Sequence, residues 1–149
     1  MTVIATNRQA QHKYQLFDKF EAGIVLKGAE VKSLREGRVN LKDSYVRVVR
    51  GEVFLINCHI SPYSHIQDIQ LADPTRMRKL LLKRSEIDRL SGRMSRKGHT
   101  AVPLSIYFKK GLAKVEIAVA RGKREYDKRE TIRRRIAERE AQRAIKRRK

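Results

Sequence analysis

A chain of 149 residues with 40% hydrophobic side chains can close one core of ordinary domain size and leave residues over. Its 36 Lys and Arg against 16 Asp and Glu give a formal charge of +20, a self-repulsion that a polyanion relieves, so RNA, DNA or an anionic membrane is the expected partner. No stretch approaches the ~20 apolar residues that span hydrocarbon, the single Cys58 excludes an intrachain disulfide, and the histidines show no metal-ligand spacing. No cofactor is expected. The start, Met1-Thr2-Val3-Ile4-Ala5-Thr6-Asn7-Arg8, lacks the apolar run of a signal peptide, so a cytoplasmic location without membrane attachment is the expectation.

In chain order, Tyr14–Phe17 and Gly23–Leu26 read as two strands. Ala29–Glu36 reads as a short helix with Val31 and Leu34 inward and Gly37 at its C-terminal end. Ser44–Cys58 carries two apolar runs broken by Arg50-Gly51, a β-hairpin pattern. Lys79–Leu82 adds a strand, and Ser85–Lys97 a helix with Ser85 as N-cap, Asp88 at N3, Ile87, Leu90 and Met94 buried, and a stop at Gly98. Leu104, Ile106 and Phe108 alternate on one arm of a second hairpin and Val115, Ile117 and Val119 on the other, joined by Lys109-Lys110-Gly111. Lys114 and Glu116 fall on the wet face. Strands without βαβ spacing predict a mainly β fold, an OB-like antiparallel Greek-key β-barrel with two or three flanking short helices and a basic C-terminal tail. The barrel domain is expected over 1–120 and the tail over 121–149.

The tail has 14 basic and 5 acidic residues, nearly half the net charge of the chain. Tyr126, Ile132, Ile136 and Ile145 are too few large apolar groups to offset the entropy of ordering it, so alone in water it is expected to be mostly unfolded. Asp127 with Glu130, and the i,i+4 pairs Glu130/Arg134 and Arg134/Glu138 on a run free of Gly and Pro, fit a helix formed on binding. A solvated charge run without a task is the plainer alternative.

Catalysis finds little to rest on. His12, His59, His65 and His99 could serve as general bases of an RNA-cleaving enzyme, and Cys58 as a nucleophile, but Cys58 lies in an apolar run and no catalytic motif is present. Phosphate neutralisation is better supplied. Lys32 and Arg35 on the first helix, Arg76, Arg78, Lys79, Lys83 and Arg84 before the second, and Lys114, Arg121, Lys123 and Arg124 near or beyond the last strand are the candidates. His12 and Tyr14 could stack on unpaired bases, although Tyr14 suits a core-packed strand residue equally well. Without RNP1, zinc-finger or bZIP patterns, shape recognition of folded RNA fits best.

Several ordered blocks carry a resemblance. Asn7-Arg8-x-Ala10-x-His12-x-Tyr14, Glu21-Ala22-Gly23, Gly28-x-Glu30-Val31-Lys32-Ser33-Leu34-Arg35-x-Gly37 and Val39-Asn40-Leu41-Lys42-Asp43-Ser44-Tyr45 come first. His59-Ile60-Ser61-Pro62-Tyr63, Asp73-Pro74-x-Arg76-x-Arg78-Lys79-Leu80-Leu81-Leu82 and Ala120-Arg121-Gly122-Lys123-x-x-x-Asp127-Lys128-Arg129 follow. In this order, over Asn7 to Glu130, they resemble the SsrA-binding protein (small protein B) family. The resemblance implies an OB-like barrel that holds the tRNA-like domain of transfer-messenger RNA in trans-translation, the rescue of ribosomes stalled on messages lacking a stop codon. It implies that Glu21, Leu81 and Lys114 belong to the RNA-binding surface; Lys32, Arg35 and Lys79 are added to that surface from the charge reading above. His12, with Tyr14, would meet the decoding centre of the small ribosomal subunit. Arg121, Gly122, Lys123, Arg124, Asp127, Lys128, Arg129 and Ile132 would enter the empty mRNA channel as a helix. The implied partners are transfer-messenger RNA, the ribosome and, indirectly in the delivery complex, elongation factor Tu, with the chain a monomer. Beyond Glu130 the match is only to a basic helix-former, and the arm before Asn7 is short and offers no basic extension. A ribosomal protein or general RNA chaperone is the leading alternative, and an RNA-cleaving enzyme the third.

Overall fold

The computed structural model describes residues 1–62 and 73–123, with Ile136, Ala137, 139–141 and Arg143 of the tail in helical conformation. The elements are β1 Thr2–Thr6, α1 Arg8–Lys13, β2 Tyr14–Ile24, α2 Gly28–Arg35, β3 Val39–Asn40, β4 Tyr45–Val49, β5 Glu52–Ile56, β6 His59–Ile60, β7 Arg78–Leu81, α3 Arg84–Met94, β8 His99–Lys109 and β9 Leu112–Gly122. The fold is mainly β and antiparallel with short helices, as the sequence predicts. Strands β8, β4, β5, β7, β2 and β9 follow one another and β9 pairs back with β8, a near-closed ring to which β1 adds on the far edge of β8. Two seams are thin: β4 meets β8 through Val46↔Ala101, and β2 meets β7 through Gly23↔Leu81 and Ile24↔Leu80.

Both predicted hairpins form, and their turns explain why. Arg50 and Gly51 have φ of 51° and 77°, and Lys110 and Gly111 have φ of 52° and 78°, the paired left-handed geometry of a two-residue turn whose twist matches the flanking strands. Val49↔Glu52 and Lys109↔Leu112 close them, so the second turn is Lys110-Gly111 alone.

The main core fills the ring with Phe20, Ala22, Leu55, Leu80, Ile106, Val115, Ile117 and Val119, and Leu34 of α2 and Leu90 of α3 close on it. A second cluster of Ala10, Val102, Leu104, Ala118 and Ala120 lies between α1 and the strands, with Tyr14 and Leu16 packed against it. Two bulges divide the residues between these cores. Leu16 faces Ala120 and Lys19 faces Ala118, leaving one extra residue in β2; Pro103 faces Ile117 and Ser105 faces Glu116, leaving one in β8. Across a bulge the side-chain alternation changes face. Leu104 therefore joins the second cluster while Ile106 and Phe108 belong to the first, correcting the single apolar face expected for that arm. Tyr14–Phe17 and Gly23-Ile24 are likewise not in two strands but in one long β2, while Val25 and Leu26 follow its end.

The helices differ from expectation at their starts. α1, not foreseen as a helix, begins at the buried Asn7, whose side-chain oxygen accepts from the Ala10 N–H at 3.3 Å while its Nδ2 donates to the Pro103 carbonyl at 2.9 Å. The α3 N-cap is Lys83, not Ser85. A lysine has no acceptor to offer, so the end is satisfied by half a capping box: Glu86 at N3 accepts from the Lys83 backbone N–H at 3.0 Å. Asp88 instead pairs with Arg84 at 3.4 Å. α2 repeats the device with Glu30 and the Lys27 N–H at 2.8 Å, and ends with Gly37 and Arg38 N–H groups donating to the Leu34 and Ser33 carbonyls, a Schellman closure.

Candidate nucleic-acid interface

On the outer face of the ring, register assembles residues far apart in sequence. Leu81 of β7 pairs with Gly23 of β2, Gly23 with Lys114 of β9, and Lys114 with Tyr107 of β8, a row across four strands. Glu21 stands two residues before Gly23 on the same face, and Lys79 two before Leu81. Glu21, Leu81 and Lys114, which the resemblance groups on one surface, are thus neighbours, and Lys79 lies on the far side of Leu81 from Glu21 because β2 and β7 are antiparallel. Leu81 is 52% exposed, unusual for a leucine in a paired strand, and Gly23 beside it leaves a bare stretch of backbone. A Cβ there would stand 3.3 Å from the Leu81 Cβ.

Glu21 is the held member of this group. The Tyr107 hydroxyl donates to its Oε2 at 2.5 Å and Lys109 Nζ lies 3.3 Å from the same oxygen. The Tyr107 hydrogen bond, helped by Lys109 and the charge of Lys114, holds the carboxyl below its ordinary value against the opposing effect of burial. Burial, and then Glu21 itself, push the Tyr107 hydroxyl well above its own. Tyr107 and Lys109 were not singled out from sequence. Their only signal is the position of Tyr107 opposite Lys114, which follows once the turn is Lys110-Gly111 alone and not the three residues Lys109-Lys110-Gly111.

Lys32 and Arg35 are exposed on α2, outside this row. Arg76 and Arg78, proposed as phosphate contacts, serve another purpose. The Arg78 side chain is 0% exposed: it donates to Glu30 Oε2 at 2.6 Å, the Cys58 carbonyl at 2.6 Å and the Pro74 carbonyl at 2.9 Å. Arg76 reaches both Glu30 oxygens at 3.2 Å through Nε. Burial pushes Glu30 toward its neutral form, but hydrogen bonds from Arg76, the Lys27 N–H and Arg78 prevail and hold it below the ordinary value. These arginines are structural counter-ions of a buried carboxylate and cannot meet an external phosphate together.

A second candidate region surrounds α1. His12 is exposed, and Tyr14 is half-buried, packed on the second core cluster with Lys13 Nζ 5.7 Å from its ring centre. A cleft of about 480 Å³ beside it is lined by Asn7, Lys13, Tyr14, Asp43, Tyr45 and Thr100, among others. The end of β9 is anchored here. Tyr14 pairs with Gly122, Gln15 with Arg121, and Lys123 Nζ donates to the Gln11 carbonyl at 3.3 Å. Arg121 and Gly122 therefore belong to β9, while Lys123 follows it. Arg124, Asp127, Lys128, Arg129 and Ile132 lie outside the described residues, as do Tyr63 and His65.

Among the described residues no His, Cys, Asp and Glu grouping could hold a metal ion. His99 Nδ1 lies 3.1 Å from the Lys97 carbonyl and its ring is 5.3 Å from that of Phe17. Cys58 is fully buried, and desolvation pushes its thiol up to about 11, which leaves it protonated and inert. Among the described residues no helix is long and apolar enough to cross a membrane.

A strand ring with a cationic, partly apolar outer face and a basic C-terminal extension has the character of a nucleic-acid-binding protein. The family model described as "SmpB protein" matches residues 4–147. The chain belongs to the SmpB protein family. It is 55% identical over 147 residues to the SsrA-binding protein of Syntrophobacter fumaroxidans, covering 99% of this chain and 91% of that one. It is 58% identical over 144 residues to the SsrA-binding protein of Caldicellulosiruptor saccharolyticus, covering 97% and 90%. A solved structure described as "tmRNA-SmpB: a journey to the center of the bacterial ribosome" superposes with a TM-score of 0.69 at 48% identity, covering 83% of this chain and 85% of that one.

Proposed function

We propose that this chain is the protein partner of transfer-messenger RNA in trans-translation: it binds the RNA's tRNA-like domain, brings it to stalled ribosomes and works by binding, without catalysing a reaction. The observation that carries the reading is the joining of Glu21, Leu81 and Lys114 on one strand face in a chain of the SmpB family. Lys114 and Lys79 supply cations for the RNA backbone and Leu81 an apolar contact, while Lys32 and Arg35 add charge from α2. In this reading the ring of strands is an OB-like barrel, the functional division falls near 1–120 and 121–149, and the chain acts as a cytoplasmic monomer.

His12 and Tyr14 face the decoding centre of the small subunit, and the tail, from Arg121, Gly122 and Lys123 through Arg124, Asp127, Lys128, Arg129 and Ile132, follows the mRNA channel. The channel is walled by phosphate, so a basic segment too poor in apolar residues to fold alone gains neutralisation and helix there. Message and tail compete for one volume, which lets binding discriminate stalled from translating ribosomes. The anchoring of Lys123 to α1 supports this arrangement, because the tail leaves the body beside His12. Elongation factor Tu joins the delivery complex through the RNA.

Sequencing of RNA recovered with the full chain from a bacterial lysate tests the reading. One dominant tRNA-like transcript is expected, retained at salt where nonspecific affinity falls by roughly 10³ to 10⁵. A broad sample of cellular RNA would favour the chaperone alternative.

A further inference from the structure

The proposed RNA face holds a group that phosphate binding does not explain. Glu21 is a carboxylate among lysines, and Glu116 of β9 pairs with it, so phosphate neutralisation, the task of the lysines, does not account for the carboxylate. A carboxylate can accept only from N–H or O–H donors. Its two oxygens offer roughly four acceptor positions, and Tyr107 and Lys109 do not fill them. The side chain of Glu21 is 40% exposed, so the remaining positions are open to a ligand. Tyr107 itself is only 4% exposed, its ring clamped in the sheet, which fixes the direction from which its hydroxyl holds Glu21. Beside this carboxylate, Gly23 has no side chain of its own and the exposed Leu81 side chain lies over it, with Lys114 on the other flank.

We propose that this face reads one unpaired guanine: the base lies against the exposed Leu81, its N1–H and N2–H groups donate to the Glu21 carboxylate, and Tyr107 is the positioning residue that aims that carboxylate. Unstacked bases are commonly held against side chains and read on their Watson–Crick edges, and a guanine edge presents two adjacent donors, matching a carboxylate as cytosine or adenine, with one amino group each, does not. The proposal rests on the reading of this face as RNA-binding and adds what distinguishes one transcript from another.

The test uses the full chain and filter binding to the tRNA-like domain of transfer-messenger RNA, with an unrelated hairpin of equal length as reference. Tyr107→Phe keeps the ring and removes the hydroxyl; Glu21→Gln removes the charge. Each should weaken binding to the tRNA-like domain about tenfold, leave the reference RNA unchanged, and combine without further loss, because both act through one carboxylate. Replacing each unpaired guanosine by inosine, which lacks the N2 amino group, should identify one position whose loss is seen with the native chain and absent with Glu21→Gln. If coupling instead follows a 2′-deoxy substitution, the donor is a ribose hydroxyl and the base reading is overturned. Leu81→Ala and Lys114→Ala separate the two levels. If neither weakens binding, the RNA-face reading itself fails; if both do while Glu21→Gln and every inosine position are neutral, only this inference fails. Should Tyr107→Phe lower the melting temperature and weaken both RNAs alike, its role is structural and its positioning role is refuted.

Discussion

The molecule contains two clusters of one carboxylate with two basic residues, and depth gives them opposite tasks. Around Glu30, Arg76 and Arg78 are engaged by the carboxylate and by backbone carbonyls, with no Arg78 surface left to solvent. Around Glu21, Lys109 and Lys114 stand at the surface of a strand row beside an exposed leucine. Both set cations against a glutamate, arginines in the first and lysines in the second. In the first cluster every donor has a protein acceptor, so it holds β7, α2 and the β5–β6 connection together; in the second the protein leaves polar capacity open to a partner. Charge in a basic protein therefore reports a nucleic-acid site only where the fold keeps it at the surface.

The sharpest way to break this comparison is to remove Arg78. Arg78→Ala leaves Glu30 with Arg76 as its one remaining arginine partner and takes the donor from the buried Cys58 carbonyl and from the Pro74 carbonyl, and breaking a buried ion pair costs about 3–5 kcal/mol. Chemical denaturation should show a loss of that order, whereas the RNA affinity of the folded fraction should stay unchanged. A drop in affinity at full stability would return Arg78 to the phosphate-binding set.

Acid should then separate the two carboxylates. Glu30 is held below its ordinary 4.5 in the folded chain, so it binds fewer protons than in the unfolded chain and its stabilisation is complete above about that pH. The contribution is lost as pH falls through the folded value. Glu30→Gln should be less stable than the native chain at pH 7, with the gap narrowing below pH 4.5. Glu21→Gln should change stability far less at neutral pH, since its carboxylate is partly solvated. Melting curves from pH 7 to pH 3 for the three chains decide it.

These contrasts also mark what a sequence can show. Arg50-Gly51 and Lys110-Gly111 impose their hairpins through local backbone geometry, and Leu34 and Leu90 sit where helical spacing puts them. Local rules fail where a neighbouring strand or a distant partner decides. The bulges near Phe17 and Leu104 are defined only by pairing with β9, and no period predicts them. α1 is too short to show a helical repeat, and Lys83 lacks the side chain of an N-cap because Glu86 performs that task from N3. Arg78 looks like Lys79 in sequence; strand alternation puts one inside and the other outside. The bond from Tyr107 to Glu21 joins residues 86 positions apart, so the parts of Tyr107 and Lys109 in the candidate site became visible only in three dimensions.

On the exposed cluster the expected effects are smaller and fall on binding. Lys114→Ala should leave stability within about 0.5 kcal/mol, as surface substitutions usually do. Titrations at several salt concentrations should show weaker binding and a salt slope shallower by about one unit, the signature of one lost phosphate contact. An unchanged slope would move the phosphate contact to Lys79 or α2.

Gly23→Ala tests the face with the smallest change available. Gly23 has no left-handed backbone to lose, so alanine reduces the freedom of the unfolded chain, a gain of about 0.4–1 kcal/mol at compatible positions. Against this, the new Cβ would stand 3.3 Å from the Leu81 Cβ, closer than comfortable contact, and Leu81 must yield slightly. The two effects nearly cancel, so thermal stability should hardly change. For a bound RNA nothing cancels, because the methyl group displaces the Leu81 side chain that supplies the apolar contact. Affinity for the tRNA-like domain should fall severalfold while the melting temperature stays in place. Affinity equal to the native chain would mean that the RNA contact does not depend on how Leu81 sits over Gly23, and would transfer it to Lys114 and the rest of the row.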